Sequence, residues 1–92
     1  MSNKRKKTKL SVEIYGQKYT IVGEEDPTHI RRVANIVDNK MREIKERNPF
    51  LDLQKLAVLT AVNIADEACK LDKKVKQLEE KMKQIEDEQI ND

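Results

Sequence analysis

The apolar positions of this chain change period along its length. From Leu10 to Gly23 they alternate: Leu10, Val12 and Ile14 are interleaved with Ser11, Glu13 and Tyr15, and Tyr19 and Ile21 resume the pattern. Period two marks half-buried strands, and Gly16-Gln17 between the runs suits a two-residue type II′ turn. That turn predicts a hairpin over 10–23 pairing Tyr15 with Lys18, Ile14 with Tyr19 and Val12 with Ile21. Val12, Ile14, Tyr19 and Ile21 then share one face. A lone hairpin is marginal, so it must pack on helices or gain strands, and one of its edges is free to pair with a second copy.

The next segment repeats at helical spacing. Asp26 reads as an N-cap, Pro27 sits at the first helical position, and Glu24, Glu25 and Asp26 lie at the positive end of the helix dipole. A helix over 27–47 places Ile30, Val33, Ala34, Val37, Met41 and Ile44 on one face, carries Lys45 and Arg47 in its last turn, and stops at Asn48-Pro49. Asp52 caps a second helix, and Phe50, the only Phe, is placed to plug the junction.

From Leu53 to about Ile90 there is neither Pro nor Gly. A helix of this length extends about 55 Å, too long for the rest of so small a chain to cover. Up to Cys69 it is apolar on nearly every side, which reads as buried, with Cys69 a structural thiol. From Leu71 one stripe survives: Leu71, Leu78 and Ile85 at heptad position d, Val75 and Met82 at a. Continued backward, the register passes through Ala68 and Ile64. The fold class expected is α+β: a small head of one β-hairpin plus helix, followed by a long C-terminal helix forming a coiled coil. The divisions are a disordered basic tail over 1–8, a head over 9–69 and a coiled-coil extension over 70–92.

The flanks of the stripe choose an orientation. Asp72, Glu79 and Glu86 fall at e, and Lys74 and Lys81 at g, so a parallel pair sets Lys74 against Glu79 and Lys81 against Glu86. An antiparallel two-stranded pair sets acid against acid. A parallel dimer is expected. The seam leaves strand number open, since Val at a with Leu at d favours two strands and Ile85 at d tolerates more. Two dimers interleaved tail to tail make a dimer of dimers.

Composition narrows the function. In 92 residues, charged side chains make up 39% and aromatics 3%, a helical and highly solvated protein with a thin core. A core this small needs reinforcement, and with a single cysteine and no ligand cluster, association is the available support. A net charge of +2 is low for a dedicated nucleic-acid binder, and Lys4 to Lys7 lack aromatic neighbours for base stacking. The lone thiol and the absence of a signal peptide or long apolar span point to a reducing cytoplasm and no membrane. No catalytic constellation, phosphate loop or metal spacing is present, and His29 reads as a surface residue. No cofactor is expected. The chemistry is binding, and a nucleic-acid-binding dimer using the basic tail or an adaptor for another helical protein are the alternatives.

The order of segments is familiar. A hairpin reading VEIYGQKYTIVGEED, a helix reading HIRRVANIVDNKMREIKERNP, and LDLQKLAVLTAVNIADE leading into heptads together resemble the ZapA family of FtsZ-associated bacterial cell-division proteins, in its Gram-positive form. The resemblance runs from about Lys9 to the C-terminus. It implies a non-enzymatic regulator that binds FtsZ filaments, cross-links them and promotes ring assembly at midcell, working as a dimer and an antiparallel tetramer. It further implies FtsZ-contacting positions at Gln17 and Lys18 in the hairpin turn and at Gln54, Lys55 and Leu59 on the long helix. Some relatives carry a basic residue at the position of Gln17 and an acidic one at Gln54. For Leu59, core burial is the competing reading. The expected oligomer seam is Ile64, Ala68, Leu71, Val75, Leu78, Met82 and Ile85.

Overall fold

The computed structural model describes residues 7–90. Its elements are β1 (Thr8–Ile14), β2 (Gln17–Gly23), α1 (Pro27–Arg47) and α2 (Leu53–Ile90). The basic tail expected over 1–8 lies outside the described residues through residue 6, and Thr8 already belongs to β1. The chain falls into two units that meet between Thr60 and Ala61.

In the first unit β1 and β2 form an antiparallel hairpin, but not in the expected register. Ile14 pairs with Gln17, Val12 with Tyr19 and Leu10 with Ile21. The turn is therefore Tyr15-Gly16, and both residues have positive φ, 50° and 77°. That is the type I′ pattern rather than type II′ at Gly16-Gln17. Gly16 is required by its backbone angle and not by space, since nothing lies within 4 Å of where a Cβ would stand. Tyr15 in the left-handed region costs on the order of 1 kcal/mol. The face survives the change of register because every cross-strand partner moves by two residues, which conserves side-chain parity.

The α1 termini follow their local signals. The His29 N–H donates to Asp26 Oδ1 at 2.9 Å, Pro27 occupies the first turn, and the Asn48 N–H closes the other end on the Ile44 carbonyl at 2.9 Å. Replacing Asp26 with Ala is expected to lower the melting stability by about 1 kcal/mol, the usual cost of a lost N-cap, measured by chemical denaturation.

Two small apolar clusters hold this unit. Val12, Ile30 and Ala34 join β1 to the start of α1, with Leu10, Ile14 and Ile21 packed around them. Met41, Ile44 and Leu56 join the end of α1 to α2, flanked by Ile14, Tyr15, Val37 and Leu51. α1 packs mainly against β1, and Tyr19 on β2 is 47% exposed. Val33, assigned above to the inward face of α1, is exposed on its flank.

Phe50 does not plug the junction: it is 100% exposed. Leu51 takes that place. Its N–H donates to the Asn48 carbonyl at 3.2 Å and its carbonyl accepts from Lys45 Nζ at 2.8 Å. With both backbone groups held, the Leu51 side chain turns into the Met41–Ile44–Leu56 cluster and Phe50 is left in solvent.

The apolar start of α2 is also less buried than its composition implied. Of its first eight residues only Leu56 and Thr60 are buried, and the Thr60 hydroxyl donates to the Leu56 carbonyl at 2.7 Å. Leu53, Val58, Leu59 and Val62 are exposed, as is the Cys69 thiol. A helix apolar all round needs cover on all sides, and α1 supplies it along one flank.

Candidate functional site

The entry to α2 is built by its cap. The Lys55 N–H donates to Asp52 Oδ1 at 2.8 Å and the Leu56 N–H to the Asp52 carbonyl at 2.9 Å, so Asp52 is the N-cap read from the sequence. This cap faces Gln54 and Lys55 outward beside Leu51, Val58 and Leu59, which together line a shallow apolar groove. Gln54, Lys55 and Leu59 thus share one surface. Leu59 is 42% exposed in the single chain. Val58, 57% exposed in the same groove, was missed by sequence reasoning because it read as core. Gln17 and Lys18 are exposed at the start of β2 and do not line the groove.

The hairpin turn that precedes them is fastened to α1. The Tyr15 N–H donates to Asp38 Oδ1 at 2.6 Å, and Arg42 Nε donates to Asp38 Oδ2 at 3.0 Å. The Arg42 guanidinium also lies over the Tyr15 ring, 5.4 Å from its centroid. The Arg42 hydrogen bond, with that of the Tyr15 N–H, holds the Asp38 carboxyl below the usual carboxylate range. A carboxyl with a depressed folded value binds fewer protons than in the unfolded chain. Its contribution is complete above the ordinary aspartate range and is lost as pH falls through the folded value. Acid titration followed by NMR is expected to show the Tyr15 amide losing its hydrogen bond only below that range, with Arg42 and the neighbouring Glu13 as the other charges on the contact.

A second apolar basin in this unit opens under the hairpin, lined by Ile14, Tyr19, Ile21, Val37, Met41 and Leu53. The second unit continues α2. Leu71, Val75, Leu78, Met82 and Ile85 are each at least half exposed, at 63, 50, 52, 64 and 54%. Ile64 is half-buried and Ala68 exposed. Ion pairs run along the outer face of this helix, Lys70 with Asp66 at 2.9 Å and Lys76 with Asp72 at 3.2 Å. Acid four residues before base is the favourable order on a helix. The helix thus carries ion pairs on its outer face while five large apolar side chains face water.

Among the described residues no group of His, Cys, Asp and Glu is arranged to hold a metal ion, and no helix is long and apolar enough to cross a membrane. The profile of the family described as "Cell division protein ZapA" matches residues 10–92. The chain belongs to the ZapA family. Cell division protein ZapA of Bacillus subtilis (strain 168) is 62% identical over 74 residues, covering 80% of this chain and 87% of that protein. ZapA of Geobacillus thermodenitrificans is 64% identical over 72 residues, covering 78% of this chain and 79% of its own length. Among solved structures, a "ZapA mutant dimer from Geobacillus stearothermophilus" superposes with a TM-score of 0.72 at 54% identity, covering 90% of this chain and 96% of that one. The ZapA architecture is therefore the hairpin, α1 and long α2 described above, and the family places this chain in cell division.

Proposed function

We propose that this ZapA family member is a non-enzymatic cross-linker of FtsZ filaments, acting at the midcell ring in the cytoplasm. The observation that carries the cross-linking is the exposed heptad stripe from Leu71 to Ile85. Two copies bury it by zipping in parallel, which sets Lys74 and Lys81 against Glu79 and Glu86. The basin around Ile14, Tyr19 and Leu53 gives the heads a second apolar contact with a partner copy. The Geobacillus stearothermophilus relative, a mutant dimer, supports self-association here. Dimers joined tail to tail hold heads apart on a stiff spacer, and avidity then makes weak single contacts sufficient.

The FtsZ partner comes from the ZapA resemblance. The surface offered to it is Gln17 and Lys18 at the start of β2 together with the groove at Gln54, Lys55 and Leu59. Co-pelleting with polymerising FtsZ tests this. Filament bundles dependent on this protein are expected, and the double variant Val58→Asp, Leu59→Asp is expected to reduce co-pelleting while circular dichroism shows an unchanged fold. Full co-pelleting by a folded groove variant would remove the groove from the FtsZ surface.

A further inference from the structure

The hairpin has two registers compatible with its hydrophobic pattern. The observed one turns at Tyr15-Gly16, with Glu13 opposite Lys18 and Ser11 opposite Thr20. The other turns at Gly16-Gln17, with Ile14 opposite Tyr19 and Val12 opposite Ile21. Both put Leu10, Val12, Ile14, Tyr19 and Ile21 on the same face, so side-chain parity does not choose between them. Local preference favours the second, since Gly belongs at the first central position of a type II′ turn and Tyr15 would keep a negative φ. The protein adopts the first, with Tyr15 at φ 50°.

The registers differ in what holds the Tyr15 N–H. In a two-residue hairpin the pair flanking the turn exchanges both hydrogen bonds. In the second register Tyr15 flanks the turn, and its N–H is taken by the Lys18 carbonyl. In the first it is a turn residue whose N–H points out of the ladder, and Asp38 accepts it at 2.6 Å from a position 23 residues away. Arg42 fixes that carboxylate from its other oxygen and covers the Tyr15 ring. We propose that Asp38, oriented by Arg42, is a positioning residue that selects the hairpin register and thereby the presentation of Gln17 and Lys18. In the unselected register Gln17 moves into the turn, and Lys18 leaves Glu13 for a place opposite Tyr15. The functional half of this proposal rests on the FtsZ reading above.

NMR of the full chain tests the register without FtsZ. Non-hydrogen-bonded antiparallel pairs bring their Cα atoms to about 4.5 Å, so their Hα–Hα contacts report register. The wild type is expected to show Glu13–Lys18 and Ser11–Thr20 contacts. Asp38→Ala is expected to replace them with Ile14–Tyr19 and Val12–Ile21. Asp38→Asn, which keeps an acceptor oxygen, should retain the first set. Tyr15→Asn in the Asp38→Ala background should restore it, because Asn-Gly is the preferred type I′ turn. An undiminished first set in Asp38→Ala would overturn the proposal. Loss of both sets with no recovery in the double variant would also overturn it, because Asp38 would then only tether the hairpin.

FtsZ affinity should fall with the population of the first register, roughly tenfold if a tenth remains, and recover in the double variant. Unchanged affinity in an Asp38→Ala protein that has switched register would overturn the functional half. A wild type that does not bind FtsZ would remove the FtsZ reading instead, with the register test unaffected.

Discussion

Ile85→Glu is expected to dissociate the oligomer and abolish filament bundling while leaving the head folded. Ile85 lies in the second unit, on the stripe that begins at Leu71, and is 54% exposed in the chain alone. On an ordinary solvated face a charge there would change stability by no more than about 0.5 kcal/mol. At a d position between paired helices it places an uncompensated carboxylate in the seam on each chain. An unpaired buried charge costs about 3 kcal/mol or more, which corresponds to at least about a hundredfold in association. The substitution therefore separates a seam from a surface by its size. Light scattering of polymerising FtsZ should fall to the level without this protein, while the amide spectrum of residues 8–60 stays in place. Bundling by a variant confirmed as monomeric would show that joined copies are not needed.

Leu56→Ala should have the opposite signature, destabilising the head. Leu56 is 1% exposed, the most buried side chain among the described residues, and it ties α2 to Met41 and Ile44 on α1. Truncating a fully buried leucine costs about 3 kcal/mol in lost transfer energy and cavity. Against a total stability of about 5–15 kcal/mol for a natural domain, that is a large share. Chemical denaturation at fixed protein concentration should show the midpoint falling sharply with the slope unchanged. Val58→Ala, two residues on and 57% exposed, serves as the control and should stay within about 0.5 kcal/mol of the wild type.

What could be read from the sequence was what local chemistry decides. The bounds of α1 followed from Asp26, Pro27 and Asn48, because caps act within one turn of the helix they close. Asp52 was legible for the same reason. The inward face of the hairpin was legible because parity survives a change of register. The register itself was not, since the residue that decides it, Asp38, lies 23 positions from the amide it holds. Turn preference alone pointed the other way. Phe50 misled because hydrophobicity does not say which of two adjacent apolar residues faces the core, and the bonds that turn Leu51 inward come from Lys45 and Asn48.

The candidate site was legible in part. Gln54, Lys55 and Leu59 do share a groove, but Val58 and Leu51 complete it. An all-round apolar segment looks the same whether its own chain or another covers it, and the exposure of Leu53, Val58, Leu59 and Val62 shows how little of it α1 covers.

The proposed function requires that copies of this chain join along α2. Sedimentation equilibrium of the full chain across the micromolar range weighs that requirement without any partner present. A species of two chains or more is expected throughout, shifting toward single chains only in Ile85→Glu. A folded wild-type protein sedimenting as one chain at the highest concentration would contradict it.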